Sequence, residues 1–388
     1  MKNLIRILSY VLVAAVVYAG TSAYYFFGYE PGTEEHYTKI EQLQDLIEAR
    51  FIGEADATAM EDAAAAAMVG ALGDEWSYYI SAAEYSDYLD QVQNSYVGVG
   101  ITITQMEDGY LEIVKVEKGG PAHEAGILPG DILIRAAGQD CAEQGMENTR
   151  NLVKGEEGTF VELTVLRSGE EKVFSVERRY IEVAVAEYEM LEGNIGLISI
   201  YNFDERCADE TIAAIETLIS QGATALIFDV RNNPGGYKHE LVEILDYLLP
   251  EGVLFRSEHY DGTTQEDTSD EKYLDMPMAV LVNEESYSAA EFFGAALDEY
   301  EAAVTVGAQT YGKGYYQQTY QLNDGSAVGL SVGKYYTPNG VSLAGVGITP
   351  DIVVDVDEET FMEIYYGQLS AQEDPQILAA VEALKNGN

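Results

Sequence analysis

A serine where a strand should give way to a helix is the first candidate for chemistry in this 388-residue chain. Ser288 stands in Asn283-Glu-Glu-Ser286-Tyr-Ser288-Ala-Ala-Glu291-Phe-Phe, and a helix is expected to begin near it. At a helix N-terminus the aligned peptide dipoles present about half a positive charge, which favours a developing alkoxide or oxyanion. A plainer part fits the same residues. Ser288-x-x-Glu291 matches a capping box, in which serine and glutamate satisfy backbone N–H groups that lack helical partners. Ser286 is an alternative cap that would leave Ser288 free to point outward. Taken locally, the capping reading is the stronger one.

A nucleophilic serine needs a base. Among the four histidines only His239 lies near a motif, in a Lys-His-Glu stretch that reads as an exposed helix start. Lysine is the other option, and Lys313 occurs in Gly312-Lys313-Gly314-Tyr-Tyr-Gln317, a β-type stretch. Residues four apart on a strand share a face, so Gln317 is expected beside Lys313, its carbonyl oxygen accepting from the amine. The alternative is a solvent-facing lysine. As a base the amine must be neutral, so a free pKa near 10.4 has to fall by about three units. A dry apolar pocket supplies such a drop. Tyr315 and Phe292 are its expected walls, with Glu291 bonded elsewhere than to the lysine. A third motif, Asp229-Val-Arg-Asn-Asn-Pro-Gly-Gly236, follows an apolar strand directly. Pro234 fixes one φ and Gly235-Gly236 reach conformations closed to other residues. The turn could therefore aim N–H groups at an oxyanion, or be a turn and nothing more.

Composition narrows the field. Sixty-seven acids against 21 bases leave a formal charge of −46. Such a surface repels phosphate and anionic lipid, which argues against nucleic-acid partners and basic-patch membrane docking. Cys141 and Cys207 cannot build a disulfide scaffold or a four-ligand zinc site, and four scattered histidines make a His-rich metal centre a poor expectation. No metal and no cofactor is expected. Apolar content of 47% with 23% charged residues is that of a folded globular chain.

The elements that would position these residues are legible in outline. Lys2 and Arg6 precede an uncharged stretch from Ile7 to Phe27, about 30 Å long as a helix, with Glu30, Glu34 and Glu35 after it. That charge order predicts a single-pass membrane anchor at 1–28 with the remainder outside the cytoplasm. Cleavage near Thr21-Ser22-Ala23, giving a secreted form, is the alternative. Residues 29–94 are expected to be helical at first, a hairpin over Thr38–Leu72 packing on the main body or on a second copy, so a homodimer is among the expectations. From 95 to 180 short β-type runs are punctuated by glycine. From 181 to 357 near-continuous apolar strands such as Ile195–Ile200 and Ala223–Val230 alternate with helical patterns, which indicates an α/β layer structure. The acidic stretch Asp261–Asp275 reads as a solvated loop, and 358–388 as a helical tail.

Val97-Gly98-Val99-Gly100 and the run Pro121-Ala-His-Glu-Ala-Gly-Ile-Leu-Pro-Gly-Asp-Ile-Leu133 resemble a PDZ domain of the permuted kind found in processing proteases. In that reading Gly98, Val99, Gly100 and Ile101 cradle a peptide's terminal carboxylate, and the strand edge accepts the peptide. Taken in order, Gly70-Ala-Leu-Gly-Asp74 with Tyr78, the PDZ stretch, Asp229–Gly236, Ser288-x-x-Glu291, Gly312-Lys313-Gly314-x-x-Gln317, Tyr335–Gly340 and Gly347-Ile-Thr-Pro-Asp351 resemble the carboxyl-terminal processing peptidases. These are the tail-specific serine proteases of family S41. The resemblance implies a crotonase-like α/β protease core with an inserted PDZ domain. It implies Ser288 as nucleophile, Lys313 as general base, Gln317 orienting the lysine, and an oxyanion hole from Ala289 with Gly235 or Gly236. Substrates would be proteins recognised near exposed C-termini. Glu285, where the family usually has glycine, and Tyr287, where a small residue is usual, depart from the pattern. A catalytically silent peptide-binding scaffold on the same fold is the alternative. An acyl-CoA enzyme of the crotonase type is disfavoured by the negative charge.

Overall fold

The computed structural model describes residues 34–387. The anchor expected at 7–27 lies outside the described residues. Among the described residues no helix is long and apolar enough to cross a membrane. The chain divides into two units, Met1–Met68 and Val69–Asn388. In the first, helix Glu34–Arg50 is followed by a second helix that starts at Ala57. Gln44 Nε2 on one donates to Glu61 Oε1 on the other at 3.4 Å.

The second unit carries a six-stranded sheet. Strands Ile195–Ile200, Ala225–Asp229, Met278–Val282, Ala303–Gly307 and Ile352–Val353 run parallel, the last at one edge, and Ala186–Leu191 adds an antiparallel strand at the other. The apolar runs are buried because both faces are covered. Helices Cys207–Ser220, Lys238–Leu248 and Ala289–Glu299 bury Ile215, Leu245 and Phe293 against one face. Helix Pro375–Lys385 sets Ile377 and Ala380 against the other, over Ile227 and Leu281.

A second, antiparallel sheet orders Tyr78–Ile80, Ala327–Tyr336, Gly252–His259 and Thr264–Ser269, with Tyr315–Gln321 also pairing Ala327–Tyr336. The loop expected at 261–275 is thus corrected to a hairpin strand, Thr264–Ser269, on Gly252–His259. It is polar because it forms a sheet edge, where charge discourages pairing with another chain.

The glycine-punctuated region builds its own sheet, ordered Ile101–Gln105, Leu111–Val116, Ile132–Ala136, Phe160–Arg167 and Glu170–Glu177. Leu111, Ile113, Leu133 and Leu163 are fully buried beneath helix Cys141–Val153. A two-stranded ribbon, Ser95–Gly98 with Arg179–Glu182, gathers the chain where it enters and leaves. Both cysteines are buried and unpaired.

Candidate active site

Two neighbouring parallel strands end side by side, Asp229 in register with Leu281. Open α/β sheets build their sites at the carboxyl ends of such strands. After the first strand comes the Pro-Gly-Gly turn; after the second comes the loop that carries Ser288. The two loops are bonded to each other. Asn283 accepts from the Asn232 N–H at 2.9 Å and donates to the Asn232 side chain at 2.8 Å. Tyr287 N–H donates to the Asn233 carbonyl at 3.1 Å.

Ser288 caps helix Ala289–Glu299 with φ 59° and ψ −126°. A non-glycine residue held in that region stores strain, and such residues cluster where a side chain must be aimed. Gly235 explains how the neighbouring loop tolerates it. A Cβ added to Gly235, whose φ is +87°, would stand 2.6 Å from the Ser288 Cβ, so only glycine lets the turn close on the serine. The Gly235 N–H is taken, donating to Asn233 Oδ1 at 2.8 Å. Gly236 bridges to Phe203 and lines the depression beside Ser288 together with Ala289. That leaves the N–H groups of Gly236 and Ala289, rather than that of Gly235, as the donors the geometry offers an oxyanion. Leu241, Phe255 and Tyr335 wall the rest of the depression, with Lys238 at its edge paired to Asp267 at 2.7 Å.

The capping box is only part of what Glu291 does. Its carboxylate is fully buried and accepts from the Ser288 N–H at 3.0 Å, as a cap should. It also accepts from Lys313 N–H at 2.8 Å, Gly312 N–H at 2.7 Å and the Thr310 hydroxyl at 2.6 Å. One carboxylate therefore joins the serine loop to the lysine loop. Burial pushes its pKa up, against the pull of these four donors. Ser286 is not the alternative cap. Its hydroxyl is buried and donates to the Val230 carbonyl at 2.7 Å.

Lys313 precedes the strand Tyr315–Gln321 rather than lying in it, and its ammonium forms no ion pair among the described residues. Its Nζ sits 4.3 Å from the ring centre of Trp76 and 5.7 Å from that of Tyr287, the residue before Ser288. Burial pulls the Lys313 pKa down to about 8, with Glu291 and Asp74 acting the other way. The expected walls are corrected: Tyr315 is exposed, and Phe292 packs on Phe255 and Tyr335. Trp76 and Tyr287 take their place. Gln317 does not meet the lysine here. Lys313 lies before the strand begins, so the alternation that would put the two on one face does not reach it, and the Gln317 amide donates to Ser331 Oγ at 3.1 Å. His239 is exposed, on the first turn of its helix.

A further charge cluster fixes the glycine turn from below. Arg231, one position past Val230, has a side chain 4% exposed and pairs with Asp229 at 2.5 Å and Asp374 at 2.8 Å. It also donates to Gln376 at 2.9 Å. Asp374 caps helix Pro375–Lys385 through the Gln376 and Ile377 N–H groups. Neither Trp76 nor this clamp stood out in the sequence. The sole tryptophan of the chain, in an acidic Tyr-rich stretch, was the available signal for the first.

In the small β-unit, Gly98, Val99, Gly100 and Ile101 line a cavity of about 1000 Å³. Met146, Arg150 and Val153 of helix Cys141–Val153 form another wall, and Tyr79, Ile80 and Tyr88 close it from the opposite side. Lys154 reaches across to Asp87 at 2.9 Å.

Known proteins resemble the chain in both parts. Residues 194–354 match the pattern of peptidase family S41, and residues 112–167 that of a PDZ domain. Over 354 residues the chain is 30% identical to a Staphylococcus aureus (strain COL) protein named "Probable CtpA-like serine protease", spanning 89% of this chain and 71% of that one. The photosystem II D1 C-terminal processing protease superposes with a TM-score of 0.50 at 23% identity, over 87% of this chain and 92% of that one. A Bacteroides fragilis NCTC 9343 protein described as an S41 protease superposes at 0.59 with 16% identity, over 87% and 93%. These two structural likenesses concern the fold.

Proposed function

The chain belongs to peptidase family S41 and is a serine peptidase with a PDZ domain, and we propose that it is an exported endopeptidase working through Ser288 and Lys313. The observation that carries this reading is the environment of Lys313: an amine that burial holds near pKa 8, free of carboxylate contact, against the ring next to Ser288. A neutral lysine so placed is a base matched to near-neutral pH.

In the proposed sequence, the Ser288 hydroxyl attacks the scissile carbonyl as Lys313 takes its proton. The carbonyl oxygen becomes an oxyanion, received by the N–H groups of Gly236 and Ala289 at the positive end of the helix. Lys313 then returns the proton to the leaving amine, and an ester on Ser288 remains. Water, deprotonated by the same amine, releases the acyl group. Gln317 would join this set only after leaving Ser331.

Substrates are proposed to be unstructured proteins whose C-termini enter the cavity at Gly98–Ile101. The uncharged run Ile7–Phe27, basic before and acidic after, supports a membrane anchor that leaves the catalytic part outside the cytoplasm. Incubating the full chain with casein and a fluorophosphonate, beside Ser288→Ala and Lys313→Met, tests the reading. Cleavage and labelling lost in both variants is expected. Turnover that survives in either one refutes the assignment.

A further inference from the structure

Lys313 Nζ rests over two rings, Trp76 and Tyr287, and a third, Tyr311, packs against both to complete a bowl. Trp76 lies 6.1 Å from Tyr287 and 5.4 Å from Tyr311, and Tyr287 lies 5.6 Å from Tyr311. Each ring comes from a different segment: the stretch before the first strand, the nucleophile loop and the lysine loop. The bowl is anchored on every side. Tyr311 OH donates to Glu75 at 2.7 Å, and its N–H donates to the Ser286 carbonyl at 3.2 Å. Ser77 Oγ accepts from the Ser331 N–H at 3.1 Å and donates to Asp74. The segment carrying Trp76 is thus fastened to the catalytic strands rather than draped over them.

We infer that Trp76 is a positioning residue for the base: its ring holds the Lys313 amine at a fixed place, shuts out water, and keeps it from the surrounding carboxylates. This rests on the reading of Lys313 as base. It gives a reason for Tyr287, whose bulk before the nucleophile is otherwise a departure: the side chain is a wall of the bowl.

The carboxylates need keeping away. Asp74 and Glu75 stand on the Trp76 segment, Glu285 and the Tyr287 phenol on the nucleophile loop, Glu291 on its helix, and the Tyr311 phenol on the lysine loop itself. Asp74 and Glu291 both favour the ammonium through their charge. Glu291 is occupied by four donors, Asp74 by Ser77 and the Trp76 N–H, and Glu75 by Tyr311. The indole acts in two directions. Its face attracts a cation, while its bulk removes water from the amine, which favours the neutral form. Burial is the largest influence on Lys313, so taking the ring away raises the affinity for the proton on balance.

Because Trp76 is the only tryptophan, its emission reports on the contact without any turnover. The experiment follows tryptophan emission from pH 6 to 9.5 in the full chain and in Lys313→Met, and kcat/KM over the same range in the full chain, Trp76→Phe, Trp76→Ala and Lys313→Met. The full chain is expected to show one emission midpoint near 8 that coincides with the kinetic midpoint. Emission is expected to be flat in Lys313→Met. Trp76→Ala should move the kinetic midpoint up by about one pH unit, giving about tenfold lower activity at pH 7 and recovery above pH 9; Trp76→Phe should keep most of the original profile. An unmoved midpoint in Trp76→Ala, a loss uniform across pH, or an emission titration that persists in Lys313→Met overturns the inference. Turnover retained by Lys313→Met overturns the base assignment itself, whereas an inactive Lys313→Met with an unmoved Trp76→Ala midpoint overturns this inference alone.

Discussion

Replacing Glu291 by glutamine is the most searching perturbation of the site, because it keeps the shape and removes the charge. The carboxylate receives four donors, two on each oxygen. A glutamine retains one acceptor oxygen and must turn an NH2 group toward the other pair. Set toward Ser288 and Lys313, it faces two backbone N–H groups that cannot accept. Set toward Gly312 and Thr310, it faces one such N–H and a hydroxyl that already accepts from Ile348 N–H at 2.8 Å. Hydrogen bonds to a charged group are worth about 1.5–3 kcal/mol each, so losing one or two costs about 2–5 kcal/mol. Part returns because a buried charge no longer has to be desolvated, the effect that pushes the Glu291 pKa up. A net loss of about 2–4 kcal/mol remains, or a fall in Tm of about 3–6 °C for a chain of this length. The fluorophosphonate labelling rate should fall further than the folded fraction does, by tenfold or more, since the elbow at Ser288 and the Lys313 backbone lose their common tie. A Glu291→Gln protein with unchanged Tm and wild-type labelling rate would refute the reasoning.

Three further expectations follow from the same geometry. Asp374→Asn should keep the helix cap, since asparagine caps as well as aspartate, yet leave Arg231 short of a buried carboxylate at a cost of about 3–5 kcal/mol. A lower Tm with kcat reduced more than KM is the expected outcome; an unchanged kcat would separate the clamp from the glycine turn. Below pH 8 the rate of peptide cleavage should rise about tenfold per pH unit and then level off, as the neutral fraction of Lys313 does; a profile flat from pH 6 to 9 contradicts the base assignment. Asp204 is pushed up to about 7 by burial, then by Glu240 and Glu205. Between the usual carboxylate range and pH 7 the folded chain therefore keeps a proton that the unfolded chain has lost, and stability falls as pH rises through that window. Asp204→Asn should raise Tm at pH 8 and leave it unchanged at pH 4, and equal gains at both values would rule the account out.

What the sequence revealed divides along physical lines. Continuous apolar runs such as Ala225–Asp229 and Met278–Val282 announced buried parallel strands because nothing but burial on both faces explains them. The Pro-Gly-Gly turn was legible as a turn, but which N–H groups it frees depended on Asn233 occupying that of Gly235. Ser288-x-x-Glu291 was legible as a cap, and the glutamate does cap, but its second oxygen pair and shared bonds to the lysine loop come from tertiary proximity. Strand periodicity failed for Gln317 because Lys313 lies outside the strand, two residues before it begins at Tyr315. Trp76 and Asp374 lay beyond any local pattern, since each meets its partner only across the folded molecule. Thr264–Ser269 reads as loop because an edge strand wears the charges of one.

The bond between Arg231 and Asp374 has a temporal meaning as well as a spatial one. Ribosomes deliver Ser288 and Lys313 before they deliver Asp374 and the helix it begins. Until that helix docks, the guanidinium beneath the glycine turn lacks one of its two anions and the sheet lacks one of its covers. A chain made only as far as Lys313 therefore already carries Ser288 while the glycine turn beside it lacks part of its support. The buried support of that turn is thus completed only once residues far downstream of it have been made.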